Sequence, residues 1–173
     1  MTTISGVWAS RWGHFAWRCT ADGVCRLQFP EPGRRRTALP DADESVHARG
    51  LIAWLEAWLG GAKQLPALPA LDLGGGTEFQ RAVWDEMLRI PFGGTRTYRE
   101  MATAIGRPTS VRAVGGACGA NPVPLLVPCH RVVAANGGIG GFSAAGGVEI
   151  KRRLIMWEQR ATRAAAADTT FEY

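Results

Sequence analysis

Residues 14–20 (HFAWRCT) and 24–29 (VCRLQF) are strand-like runs separated by Ala21-Asp22-Gly23, a turn signal, and together they predict a β-hairpin. Residues 30–43 carry Pro30, Pro32, Gly33, three consecutive arginines and Pro40, and read as a loop. From Glu44 to Leu59 the apolar set Val46, Leu51, Ile52, Leu55, Trp58 and Leu59 falls at helical spacing. Gly60-Gly61 ends that helix where a left-handed cap is needed, and residues 60–76 are the best linker candidate. Thr77-x-x-Gln80 has capping-box form and opens a second helix with Phe79, Val83, Met87 and Leu88 on one face, stopped by Pro91. Phe92-Gly93-Gly94-Thr95 turns the chain. A second box, Thr97-x-x-Glu100, opens a short helix from Tyr98 to Ile105 that Gly106 closes. Thr109 or Ser110 can cap a further helix over about Val111–Cys118, so the two short helices form a helix-turn-helix. Asn121-Pro122-Val123-Pro124 breaks regular structure, and Leu125-Leu126-Val127 leads into an extended segment through Pro128-Cys129-His130-Arg131 and Val132-Val133. Asn136-Gly137-Gly138 turns it, and a last helix runs from about Val148 to Ala166 on Ile150, Leu154, Ile155 and Trp157, with the Ala164–Ala167 run expected to fray.

The pattern predicts an α/β (α+β) chain with a small N-terminal unit over residues 1–76 and a mainly helical C-terminal unit over residues 77–173. The chain has 173 residues, enough to bury a core. Charge is uneven. Residues 1–76 hold 8 basic and 7 acidic side chains, whereas residues 91–173 hold 10 basic against 5 acidic. That excess suits a phosphate-rich partner; the alternative is a compositional bias toward Arg, Ala and Gly, since 18 of the 20 basic residues are Arg. The N-terminal residues have neither a basic region nor an apolar core of a secretion signal, and no run approaches the ~20 apolar residues of a membrane span. The expected compartment is therefore the cytoplasm, where cysteines stay reduced. Cys19 and Cys25 read as core residues of neighbouring strands, not a zinc ribbon, and no metal cluster is expected.

Cys129 is the most informative residue. A thiol attacks only as thiolate, and the adjacent His130 is a candidate base. Adjacent side chains of an extended segment point to opposite faces, so the pair needs a bridging water or a local bend. A lone Cys-His pair is more often a small buried hydrophobe beside a core histidine.

The stretch from Asn121 to Val133, NPVPLLVPCHRVV, resembles the active-site signature of the O6-alkylguanine-DNA alkyltransferases. Phe79-Gln80-x-x-Val83-Trp84, Gly94-x-x-x-Tyr98, Val111–Ala117 (VRAVGGA) and Leu154-x-x-x-Glu158 follow in that family's order at near-family spacings. The resemblance covers about residues 77–158 closely and residues 1–76 weakly. It implies a ribonuclease-H-like N-terminal domain of sheet and helix before a C-terminal domain that holds the helix-turn-helix and the active-site Cys.

It further implies direct reversal of DNA damage, in which the alkyl group of O6-alkylguanine moves irreversibly to Cys129 once per molecule. His130 would take the thiol proton through water, and Glu158 would orient the imidazole. Tyr98 would hydrogen-bond the departing base, and Asn121 would hinge the recognition helix to the active-site segment. Arg112 would fill the stack vacated by the flipped base. Ala113, Gly115, Thr97 and Arg131 complete the implied contacts with double-stranded DNA, in the minor groove. Tyr98, Val127, Pro128, Phe142 and Ser143 would line the base pocket, with Ala144-Ala145 a two-residue insertion relative to the family pattern. No cofactor is implied, since the DNA is the alkyl donor, and the expected state is a monomer. Activity on O4-alkylthymine and on large alkyl groups stays open. The competing readings are a non-catalytic lesion-binding relative, a helix-turn-helix regulator with a structural Cys129, and a Cys-His hydrolase, for which no oxyanion hole is evident.

Overall fold

A computed structural model describes residues 3–30, 45–62, 64–144 and 146–168. The expected loop at 30–43 lies outside it beyond Pro30, as does Ala145 of the insertion. The first half is a three-stranded antiparallel sheet, β1 (Ile4–Ser10), β2 (Gly13–Cys19) and β3 (Val24–Gln28), in the order β1-β2-β3. The hairpin β2–β3 matches the sequence pattern. Strand β1 was not foreseen; as an edge strand it exposes Ile4, Ser5 and Ala9 and half-buries Val7 and Trp8, so it lacks a clean alternation. One sheet face, through Phe15, Trp17, Cys19 and Leu27, is buried against helix α1 (Val46–Gly60) and its neighbours. Cys25 is only half-buried, because a register shift opposite Arg18/Cys19 moves it off the buried row, so it is not a core residue.

Helix α1 starts at Ser45, whose hydroxyl accepts from the Ala48 amide, and ends at Gly61 with φ 71°. Leu51, Leu55 and Trp58 are buried completely, each worth about 1.5–3 kcal/mol relative to exposure. Val46, expected on that face, is 66% exposed because it occupies the first turn, beyond the sheet. Residues 64–76 are no free linker. Val24 donates to Ala70 and accepts from Asp72 along the free edge of β3, and the Thr20 hydroxyl donates to the Asp72 carboxylate at 2.7 Å.

In the second half both capping boxes form with both arms, at Thr77/Gln80 for α2 (Glu78–Leu88) and at Thr97/Glu100 for α3 (Tyr98–Ala104). Leu88 sits at the solvent end of α2 and is 37% exposed, not part of the buried face. Helix α4 (Val111–Gly119) begins after Ser110, but no hydroxyl caps it. Trp84 of α2 donates from Nε1 to the Ala117 carbonyl at 2.9 Å, and this locks α4 against α2. Strand β4 (Arg96–Thr97) pairs in parallel with β5 (Val132–Val133), which ties the start of α3 to the segment after Cys129. Helix α5 (Gly147–Asp168) closes the fold, and the Ala164–Ala167 run lies within its bounds.

The two halves share one hydrophobic core. Trp58 of α1 packs edge-on against His130 with ring centroids 6.4 Å apart, and Leu27 of β3 donates its amide to the Pro122 carbonyl at 2.9 Å. The N-terminal sheet and helix thus form one wall behind the segment carrying Cys129.

Candidate active site

Residues 121–133 place the thiol. Asn121 accepts from the Val123 amide at 3.0 Å and donates from Nδ2 to the Val127 carbonyl at 2.7 Å, closing a loop between α4 and Cys129. Leu125 holds φ 76° inside that loop, a costly conformation for a residue with a Cβ, and its 1% exposure shows how tightly the loop is packed. The expected extended path then fails. Cys129–Arg131 form one turn of 3-10 helix, with the Arg131 amide donating to the Pro128 carbonyl.

Cys129 is 5% exposed and His130 is completely buried. Burial raises the thiol pKa above its ordinary value, opposed by a hydrogen bond from Asn121, the charge of Lys151 and the amides of Cys129 and His130. The resting group is therefore a thiol that needs a base. Burial also lowers the His130 pKa, against the pull of Glu158, so the imidazole is neutral near neutral pH. His130 Nε2 lies 2.9 Å from Glu158 Oε1 and must be the protonated nitrogen, since a carboxylate only accepts. Its Nδ1 is then a buried acceptor, and it has no partner among the described residues.

Glu158, 1% exposed, is the hub. Its Oε1 accepts from Trp58 Nε1 at 3.0 Å, from His130 and from Arg131 Nη2 at 2.9 Å. Its Oε2 accepts from the Gly93 amide at 3.0 Å and Arg131 Nε at 2.9 Å. Burial would raise its pKa, but the hydrogen bonds and charges of His130 and Arg131 hold it at about 2. With His130 neutral, the charge that keeps Glu158 ionised is Arg131.

This removes Arg131 from the expected DNA-facing set. It is 7% exposed, forks onto Glu158 and donates from Nη1 to the Ile90 carbonyl at 2.7 Å, so no phosphate can reach it. Lys151 leaves the phosphate count for the same reason. It is fully buried and donates to the carbonyls of Val132 at 2.6 Å and Gly141 at 3.1 Å, with Tyr98 Oη at a longer 3.4 Å. Sequence reasoning missed it as a site residue. The signal was there, because Lys151, Leu154 and Glu158 fall at i, i+3 and i+7, one buried stripe of α5.

Cys129 opens onto a cavity of about 530 Å³ walled by α3, α4 and residues 141–143. Tyr98, Arg112, Gly115, Phe142 and Ser143 line it. Val127 is completely buried, and neither it nor Pro128 lines the cavity, contrary to expectation; the bend at Cys129 turns them into the core. Tyr98 is half-buried and its pKa is pushed up to about 12, by burial first and then by Cys118 and Cys129, so it remains a donor. A Cβ on Gly140, at φ 73°, would stand 2.8 Å from the Tyr98 ring, so glycine is required for the wall to close on the phenol. Ser143 donates to the Gly119 carbonyl at 3.2 Å, and Phe142 stacks edge-on Phe29 at 6.0 Å. Arg112 and Ala113 are exposed on α4 at the cavity rim. The Thr97 hydroxyl is committed to Glu100, which leaves it no free donor for a ligand. Cys118 also lines the cavity, but burial pushes its pKa up to about 12, with the nearby Cys129 raising it further and the charge of Lys151 opposing.

A family profile described as "6-O-methylguanine DNA methyltransferase, DNA binding domain" matches residues 78–160. A methylated-DNA–protein-cysteine methyltransferase of Methanosarcina acetivorans is 40% identical over 139 residues, 79% of this chain and 86% of that protein. An inducible protein of that name from Bacillus subtilis is 49% identical over 87 residues, 50% of this chain but only 48% of that protein. A probable one from Acanthamoeba polyphaga mimivirus is matched over 57% of its length, so the match spans only about half the length of these two relatives. Among solved structures, Mycobacterium tuberculosis OGT in complex with DNA superposes with a TM-score of 0.77 at 34% identity, over 94% of this chain and 96% of that one.

Proposed function

Because this chain belongs to the methylated-DNA–protein-cysteine methyltransferase family, we propose that it repairs O6-alkylguanine in double-stranded DNA by accepting the alkyl group on Cys129. The observation that carries the reading is the buried relay Glu158–His130 ending at the floor of a cavity that Cys129 shares. Glu158 fixes the Nε2–H tautomer, which leaves Nδ1 as the base. Nδ1 takes the Cys129 proton through one bridging water, and the sulfur attacks the alkyl carbon in line with O6. The C–S bond forms as the C–O6 bond breaks, and the electron pair moves into the guanine ring, which ends protonated at N1. The Tyr98 hydroxyl donates to the base as that charge develops, and the ammonium of Lys151 behind it adds to the stabilisation.

A base inside a duplex cannot reach a thiol 5% exposed at the floor of a cavity, so the nucleotide is rotated out. Arg112, exposed at the rim on α4, takes the space the base leaves, and Ala113 and Gly115 keep that helix slim for the minor groove. The thioether does not revert, so each molecule acts once. The protein works as a cytoplasmic monomer. Incubation with a duplex carrying O6-methylguanine, followed by intact mass and peptide mapping, should give one added methyl on the Cys129 peptide and none in Cys129→Ser. Unmodified protein that still binds the duplex would leave a lesion sensor or regulator instead.

A further inference from the structure

The relay beneath Cys129 is not confined to the C-terminal half. Trp58 belongs to α1, 100 residues ahead of Glu158 in the chain, and is completely buried. Its Nε1 donates to Glu158 Oε1 at 3.0 Å, the same oxygen that accepts from His130 Nε2 at 2.9 Å. The same indole meets the His130 ring edge-on, with centroids 6.4 Å apart and planes at 82°. One side chain of the N-terminal half therefore touches both members of the relay.

The indole is itself held from behind. Trp157 of α5 donates from Nε1 to the Trp58 carbonyl at 3.1 Å, and the two rings pack with centroids 6.5 Å apart. Trp12, from the turn between β1 and β2, packs edge-on against Trp58 at 6.0 Å. Arg11 lies over the Trp157 ring and donates to the Leu59 carbonyl, and Arg153 lies over Trp12. Core packing explains an aromatic ring at position 58 but not its polar edge. A buried N–H is costly unless it finds an acceptor, and this one finds a carboxylate, where the hydrogen bond is charge-assisted.

Glu158 Oε1 takes three donors, from Trp58, His130 and Arg131. Each draws on the negative charge of that oxygen, so the indole tempers the pull of the carboxylate on the His130 proton. It also resists rotation of the carboxylate away from Nε2. We propose that Trp58 is a positioning residue supplied by the N-terminal half, which aims the Glu158 carboxylate at His130 Nε2 and shares its charge. The inference rests on the transferase reading above and extends that machinery to a residue outside the stretch that matches the family profile.

Loss of the indole N–H has a definite sign. With one donor fewer on Oε1, the carboxylate stabilises the imidazolium more strongly, and the His130 pKa rises. The other influences stay in place. Burial, Arg131 and Lys151 oppose protonation of His130, Glu158 favours it, and among the described residues no charge of α1 or α2 shifts it.

The test uses the full chain with benzothienylalanine at position 58, which keeps the bicyclic ring and lacks the N–H. Trp58→Phe is its simpler counterpart, and Trp157→Phe controls for packing alone. Imidazole nitrogen NMR shifts read the His130 titration independently of activity. Single-turnover transfer from duplex O6-methylguanine, followed by intact mass across pH, reads the consequence. Both replacements of Trp58 should raise the His130 midpoint by about half a pH unit or more and carry the acid limb of the transfer rate with it. The plateau rate should fall by about threefold to tenfold at unchanged duplex affinity, because the carboxylate no longer aims the imidazole. Trp157→Phe should lower the melting temperature and leave the midpoint at its wild-type value. A midpoint unmoved by both replacements of Trp58, or moved equally by Trp157→Phe, would overturn the positioning role alone. Absence of methyl transfer by wild type would overturn the transferase reading, and the His130 titration would still decide whether Trp58 acts on the pair.

Discussion

Glu158→Gln exchanges one oxygen for an amide nitrogen at the most heavily bonded side chain of the site. Both carboxylate oxygens accept, Oε1 from Trp58, His130 and Arg131 and Oε2 from Gly93 and Arg131. A glutamine has one acceptor oxygen, so its NH2 faces N–H donors in either orientation. Arg131, 7% exposed, also loses its counter-charge. Removing one partner of a buried ion pair costs about 3–5 kcal/mol. At ~2–4 °C per kcal/mol for a chain of this size, the melting temperature should fall by roughly 10 °C at pH 7.

The pH dependence provides a second readout. The Glu158 carboxyl is held below its ordinary 4.5, at about 2, so its ionised form stabilises the folded state. Because the folded pKa is the lower one, that stability is fully present above the unfolded value and is lost as pH falls towards 2. Wild type should lose melting temperature steeply between pH 4.5 and 2, and the glutamine variant should start lower and fall less. Circular dichroism melts at pH 7, 4.5 and 3 measure both. A variant within about 2 °C of wild type at pH 7, with an unchanged acid limb, would refute the assignment of Glu158 as the charged hub.

The remaining predictions concern activity. His130 has its pKa lowered by burial, so the transfer rate should stay flat from pH 8 to below 6.5 and fall only when the imidazole finally protonates; a midpoint at 6.5 or above would contradict the buried neutral base. Arg112→Ala should slow repair of duplex O6-methylguanine by tenfold or more with the melting temperature within about 1 °C, and a normal rate would remove its role at the rim. Affinity for duplex DNA should fall with salt, and Arg107→Ala, exposed beside the helix-turn-helix, should reduce the log–log slope by about one; an unchanged slope means that this arginine meets no phosphate.

Much of this was legible in the sequence, for local reasons. Capping boxes at Thr77 and Thr97 and the left-handed turns at Gly61 and Gly106 depend on residues three or four apart, and all formed. The Cys129–His130 pair and Glu158 could be named from motif spacing, but the His130–Glu158 hydrogen bond forms from a 3-10 turn that neighbouring prolines do not announce. Arg131 and Lys151 were misread because a cation in a basic segment looks solvated. Only the fold shows that Glu158 and the carbonyls of Ile90, Val132 and Gly141 are waiting for them. The docking of residues 70–72 on β3 was equally hidden, since an edge strand is satisfied by backbone groups that carry no sequence signal.

The central claim, that Cys129 is a single-use alkyl acceptor, is tested most directly by titration. A fixed amount of protein is mixed with increasing duplex that carries radiolabelled O6-methylguanine, and label is counted in protein and in its peptides. The account predicts a plateau at one methyl per chain, all of it in the Cys129 peptide, with unmodified guanine restored in the DNA. Label that keeps rising past one, that settles on Cys118, or that never enters the protein would contradict it.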